Sequence, residues 1–325
     1  MAATLRRAGR PVRAALTGCR SRRASSVPTV ALLSQAQWQG EGGANAAGIV
    51  RGCGVASRVL ADLVPSCLRL APAAAAPPAV ATARPAPGPS GVRYHRDLAE
   101  QLEAAVAALD AAAPDVVLTG GGDCSVDLAP CGWLLQRHGG DMAVLYLDAH
   151  ADLNIAAESP SGHFHGMVLR SLLGDAPEGL APRRALEPES LVLAGLRELD
   201  PPEEAALRRL GVRTLPPADL RGDPGGGLPG LLRATGRGRL HVHLDLDVLE
   251  PREFPHVSVP SPGGLGVREL AALLRSAGAA LPLAGLSVTE VRPLSDADEA
   301  ACEAVLHELL GPGGLDLAMR LRNVE

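Results

Sequence analysis

The stretch VLYLDAHADLNIAAESPSGHFHG, residues 144–166, decides how the rest of the chain is read. An apolar run, Val144 to Leu147, leads directly into Asp148, His150 and Asp152 at alternate positions. Successive side chains of extended backbone point to opposite faces, so this spacing predicts that all three leave the end of a strand on one side. Two carboxylates flanking an imidazole make a donor set for a divalent cation. A buried strand ending in a polar turn accounts for one of the carboxylates, but poorly for two around a histidine.

A second cluster, HVHLDLDVLEP at residues 241–251, repeats the pattern. Asp245 and Asp247 alternate at the end of a strand whose other face is Val242, Leu244 and Leu246. Two carboxylates facing the same way in apolar surroundings repel each other, and desolvating them costs on the order of several kcal/mol unless a cation neutralises them. Together the clusters supply Asp148, His150, Asp152, Asp245 and Asp247, mostly hard oxygen donors suited to two divalent ions of the manganese class. His241 and His243 read as satisfied residues lying deeper in the strand. A third cluster, GGGDCSVDLAP at residues 120–130, also follows an apolar strand. Its glycines permit a tight turn, Asp123 and Ser125 are placed to cap the next helix, and Cys124 by itself reads as a small buried hydrophobe.

Outside these clusters, short apolar strands alternate with helical segments of ten to fifteen residues. This predicts a mostly parallel sheet covered on both faces, a three-layer αβα sandwich of the α/β class. The expected strands are 27–33, 115–119, 144–148, 190–195, 212–215, 240–248 and 285–290. The expected helices are 50–63, 94–109, 126–137, 202–210, 267–280 and 297–310. Residues 71–91 are Ala/Pro-rich and read as a surface connection with one short strand near Val80. In such sheets function collects beyond the carboxyl ends of the strands, where every polar cluster falls.

The 325 residues carry a net charge of −5 and a pI near 6.0, which offers no basic field for nucleic acid. The sequence has no apolar run of about twenty residues, so no membrane span is expected. Six cysteines without a CxxC pair suggest a reducing compartment rather than a disulfide framework. Residues 1–27 stand apart: seven Arg from Arg6 to Arg23 are mixed with Ala, Ser and Thr, and the first acid is Glu41. That reads as a mitochondrial transit peptide, or else as an unstructured tail on a cytoplasmic protein, with the folded domain at 28–325.

The order GGDCS, DAHADLN, SGHFHG, DLDVLEP and TEVRP over residues 120–293 resembles the ureohydrolase family of arginases, agmatinases and related guanidino hydrolases. The resemblance implies a binuclear centre, usually of manganese, a small guanidino substrate cleaved to urea and an amine, and assembly into homotrimers or homohexamers. It implies that Asp148 and Asp245 bridge the metals, that His150 and Asp247 complete one site, and that Asp152 with Cys124 completes the other. His165 then handles protons, with Asp152 as acceptor, and Glu290 holds the guanidinium. Asn154, Ser161, His163 and Asp200, the last supported by Glu203, match positions that meet the rest of the substrate.

Three departures matter. Cys124 stands where the family has a histidine, and a thiolate shifts preference toward Zn, Fe, Co or Ni. Glu250 replaces an Asp, and His163 replaces the Asn of arginases, which loosens the case for an amino-acid substrate. Other readings are a formimino-group hydrolase of the same superfamily, a zinc deacetylase, and a metal-poor relative with a scaffold role.

Overall fold

The computed structural model describes residues 28–41, 45–71, 86–221 and 227–322. The first half runs β1 (Val30–Ser34), α1 (Ala46–Leu63), β2 (Leu68–Leu70), α2 (His95–Ala112), β3 (Val116–Gly120), α3 (Leu128–Arg137) and β4 (Ala143–Leu147). The second half runs α4 (Val168–Leu172), β5 (Leu191–Ala194), α5 (Pro201–Leu210), β6 (Arg213–Leu215), α6 (Pro217–Leu220) and α7 (Leu228–Ala234). It ends with β7 (Leu240–Asp245), α8 (Val267–Ala280), β8 (Leu283–Thr289), α9 (Asp296–Leu310) and α10 (Leu317–Arg322).

The eight strands form one sheet in the order β2-β1-β3-β8-β7-β4-β5-β6, and every pairing is parallel. Parallel strands need covered faces, and β3, β4, β5, β7 and β8 are buried at every position. The pleat divides each strand between two cores. Leu145 and Leu147 of β4 pack with Val242 and Leu244 of β7 under α1, α8 and α9; Val144 and Tyr146 face α2, α3 and α4. This is the expected α/β sandwich.

Local chemistry sets the helix starts. Asp200 and Glu203 form a capping box on α5, whose second and first residues are proline. Ser295 accepts the Asp298 N–H at the start of α9, and Asp296, Asp298 and Glu299 lie at its positive end.

Two expectations change. The strand placed at 240–248 stops at Asp245, because the Asp245 carboxylate accepts the Asp247 N–H at 2.7 Å and caps a 3-10 turn over Leu246–Val248. Strand β2 and the short helices α4, α6, α7 and α10 were not anticipated. The short strand near Val80 and the whole of residues 1–27 lie outside the described residues. Among the described residues no helix is long and apolar enough to cross a membrane.

Candidate metal centre

Four adjacent central strands, β3, β8, β7 and β4, each deliver polar residues at their carboxyl ends. Cys124 follows β3, Asp148 to Asp152 follow β4, Asp245 and Asp247 close β7, and Glu290 follows β8. Because the strands run the same way, their ends meet at one edge of the sheet and residues far apart in sequence converge. The Cys124 thiol donates to Asp245 Oδ2 at 2.9 Å, and its backbone N–H donates to Glu290 Oε1 at 3.1 Å. His150 Nδ1 lies 2.8 Å from Asp247 Oδ2 and 3.5 Å from Asp148 Oδ1.

The convergence does not come from simple strand alternation. β4 ends at Leu147; Asp148 Oδ1 takes the N–H of His150 at 2.6 Å, and Asp152 has a left-handed backbone with φ 53°. That turn brings the Asp152 carboxylate back over the sheet, where Tyr146 donates its hydroxyl at 2.6 Å. Glu290 is also left-handed, with φ 59°. Such conformations cost about 1–3 kcal/mol each in side-chain-bearing residues and persist where surrounding contacts hold them. On the β3 side, Gly122 lies so close to Gln37 that a Cβ would stand 1.7 Å from the Gln37 carbonyl oxygen. Only glycine permits that approach, which lets the Asp123 N–H bond Gln37 at 2.9 Å and sets the turn carrying Cys124.

The donors fit divalent ions. One ligand atom each from Asp148, His150 and Asp247 lie within 4.8 Å of one another, and so do those of Cys124, Asp245 and Glu290, and of Cys124, Asp148 and His243. Asp148 Oδ2 and Glu290 Oε2 are buried without a hydrogen-bond partner. Burial and the neighbouring Asp247 charge push Asp148 up to about 6. Burial followed by like charge raises Asp245 and Asp152 well above the usual carboxylate range. Asp247 runs the other way, since bonding and attraction from His150 overcome its burial. The Cys124 thiol is pushed up by burial and then by Asp245. Crowded, buried negative groups of this kind are what a bound cation stabilises.

A cleft of about 190 Å³ opens above the cluster, lined among others by Asn154, Ser161, His165, Asp200 and Val259. Asn154 Nδ2 donates to Asp200 Oδ2 at 3.0 Å, so these two expected contacts stand together at the cleft. Glu203 fixes the same corner by accepting the N–H groups of Leu153 and Asp200. His165 Nδ1 lies 3.3 Å from Glu290 Oε1. Burial alone would depress His165, but the Glu290 bond and charge, with Asp152 and Asp123, push it up to about 9. His163 is not part of the cleft wall: it is 7% exposed, with its ring 6.0 Å from that of His165. The tight turn at Gly162, φ 69°, where the His163 N–H bonds Ser161 Oγ, accompanies this set-back position.

Three supporting residues were not singled out from the sequence. The Arg197 guanidinium donates to the carbonyls of Asp247 and Ser261, each at 2.6 Å, while its backbone N–H bonds Ala149 at 2.9 Å, tying the loops after β4, β5 and β7 together. Tyr146 was read only as part of an apolar run. Asp127, fully buried, accepts from His241 Nε2 at 2.9 Å, His243 Nδ1 at 3.1 Å and Ser287 Oγ at 2.6 Å. It engages one ring nitrogen of each strand histidine, leaving His241 Nδ1 buried without a hydrogen-bond partner, and those histidines hold it well below the usual carboxylate range despite its burial. Sequence offers no sign of the Arg197 and Asp127 partners, because those contacts join segments roughly 50 or more residues apart, while Tyr146 reaches Asp152 only through the left-handed turn six residues on. Glu250, the longer substitute in DLDVLEP, reaches the N–H groups of Gly263 and Gly264 at 2.8 and 3.1 Å.

A parallel α/β sandwich with an acid-rich cluster at the carboxyl ends of its central strands places that cluster where such folds bind their ligands, and its donors are of the kind that hold divalent ions. The Arginase family model matches residues 75–311, and the chain belongs to that family. It is 32% identical over 191 residues to an arginase of Staphylococcus aureus (strain COL), an alignment spanning 56% of this chain and 62% of that enzyme. In fold it is similar to the arginase of Bacillus caldovelox, with a TM-score of 0.75 at 24% identity, covering 89% of this chain and 98% of that one. It is also similar in fold to formimidoylglutamase from Bacillus subtilis, with a TM-score of 0.66 at 19% identity, covering 96% of each chain.

Proposed function

We propose that this chain hydrolyses a small guanidino compound to urea and an amine at a two-metal centre. The observation that carries the reading is the meeting of Cys124, Asp148, His150, Asp152, Asp245 and Asp247 at one edge of the sheet beside a buried, partner-free oxygen of Glu290. Asp148 falls in donor groups with both His150 and Asp247 and with Cys124, and Asp245 is bonded to the Cys124 thiol and the Asp247 N–H, so these two would be the candidates to serve both ions. His150 and Asp247 belong to one site, Asp152 and Cys124 to the other. When bound, two divalent ions supply Lewis acidity and make water nucleophilic at neutral pH.

The chain's own side chains do the rest. A guanidinium is planar and rich in N–H donors, and Glu290 Oε2 has acceptor capacity to hold it in place over the cluster. Glu290 Oε1 is already shared by the Cys124 N–H and His165, so the acceptor is oriented before substrate enters. Asp152 is placed to take a proton from the reacting centre. His165, at the cleft wall and able to carry a proton near neutral pH, delivers one to the departing amine. Asn154, Asp200 and Ser161 line the outer cleft and meet the far end of the substrate. His163 is buried beside them and does not line the cleft.

Urea release from arginine, agmatine, guanidinobutyrate and guanidine, after loading with Mn, Co, Ni or Zn, tests the reading. Formamide from a formimino compound in place of urea moves the chain to the neighbouring activity, and acetate to a deacetylase. No bound ion and no product under any loading removes the enzyme reading and leaves the scaffold role. Family likeness also supports a trimer or hexamer, which sedimentation equilibrium decides.

A further inference from the structure

The cluster contains an imidazole that the two-ion reading leaves unused. His243 lies two residues before Asp245 on the same face of β7 and is fully buried. Its Nδ1 bonds Asp127, a carboxylate that also receives His241 and Ser287. A carboxylate accepts only, so Nδ1 carries the proton and Nε2 presents its lone pair on the opposite side of the ring. On that side the contacts are long: Nε2 is 3.4 Å from Thr289 Oγ1, which lies 3.5 Å from Cys124 Sγ. Tyr146 stacks on the imidazole with centroids 3.9 Å apart and planes 3° from parallel, fixing the ring's orientation. A ring nitrogen of His243, the Cys124 sulfur and a carboxylate oxygen of Asp148 all fall within 4.8 Å of one another, and Asp148 Oδ2 has no hydrogen-bond partner.

We propose that His243 is a metal ligand, oriented by Asp127, and that with Cys124 and Asp148 it forms a thiolate–imidazole–carboxylate set for one ion of the zinc, cobalt or nickel class. The inference rests on the cluster being a two-ion site and adds a ligand to it. A carboxylate behind a ligating histidine is the usual means of fixing its tautomer and orientation. One sulfur and one imidazole favour a borderline ion over manganese. On binding, the thiol proton leaves to solvent and the sulfur–metal bond replaces the Cys124–Asp245 hydrogen bond.

The test loads the full chain with Co(II), counts bound ions, and identifies their ligands by X-ray absorption at the cobalt edge together with the thiolate-to-cobalt charge-transfer band. The expected result is two ions per chain sharing one sulfur and two imidazoles, from His150 and His243. His243→Gln, which keeps an N–H for Asp127, is expected to remove one imidazole and weaken one ion by more than the ~10–100-fold that loss of a supporting residue alone costs. Two ions with a single imidazole in the wild-type protein overturn the role of His243 while the two-ion site stands, whether or not the variant folds. No ion in the wild-type protein overturns both.

Discussion

Tyr146 donates its hydroxyl to Asp152 across 2.6 Å while its ring lies flat against His243. One side chain therefore positions a carboxylate above the sheet and an imidazole within it. Tyr146→Phe keeps the ring and removes the bond, leaving a buried Asp152 oxygen without its donor, at about 1–3 kcal/mol. The loss is expected in full in metal-free protein and to be smaller with metal bound, because an ion then satisfies the carboxylate. Thermal unfolding with and without saturating Mn(II) reads the difference; equal losses in both states separate Asp152 from the metal site.

Glu290 orients substrate in the proposed function, yet one of its oxygens also falls within 4.8 Å of the candidate ligand atoms of Cys124 and Asp245. Glu290→Gln distinguishes these roles. If the carboxylate holds the guanidinium, kcat/KM falls about 100–1000-fold while ion content stays at the wild-type level. Loss of an ion together with activity makes Glu290 a ligand instead.

The architecture was largely legible because parallel strands are apolar at every position and end in abrupt polar clusters. β4 and β7 illustrate this, each passing from buried aliphatic residues to aspartates within two or three positions. The convergence of the carboxylates was legible for the same reason: an aspartate at the end of such a strand has nowhere to go but the sheet edge. What was not legible depends on contacts across the chain. Asp152 faces the site through a left-handed turn that alternation does not anticipate, and His163 is buried and absent from the cleft wall despite its place in SGHFHG. Helices α4, α6 and α7 span only four to seven residues, too short for a helical period to stand out.

On the proposed reading, Cys124 is expected to set the metal preference. Cys124→His exchanges a soft donor for imidazole, and Mn(II) affinity relative to Zn(II) is expected to rise roughly tenfold, the lower end of the effect of altering a metal's surroundings. Competitive titration of the two ions measures the ratio. An unchanged ratio means that Cys124 does not touch metal and remains bound to Asp245.

Asp127 holds the polar stripe on the α3 side of the sheet together. Asp127→Asn leaves His241, His243 and Ser287 sharing one neutral carbonyl, with an N–H₂ group directed at donors. Removing one member of a buried charged network costs about 3–5 kcal/mol. The urea midpoint is expected to fall accordingly. A shift below about 0.5 kcal/mol, within the range of ordinary surface changes, means that the stripe is held by packing alone.

His138 gives the fold a pH dependence separate from the metal centre. It follows α3, its Nε2 is buried without a hydrogen-bond partner, and burial, then Arg239 and Arg137, push it down to about 4 from 6.5. A depressed histidine resists protonation in the fold but not in the unfolded chain, which therefore binds the proton first as pH falls. The His138 contribution is complete above about pH 6.5, declines between about 6.5 and 4, and is constant below. His138→Gln removes the titration, so the variant's stability relative to wild type is expected to rise between about pH 7.5 and about pH 5, whatever the carboxylates do in both proteins. Urea unfolding at the two pH values reads this directly. A difference that does not move with pH means that His138 takes up its proton in the fold as readily as in the unfolded chain.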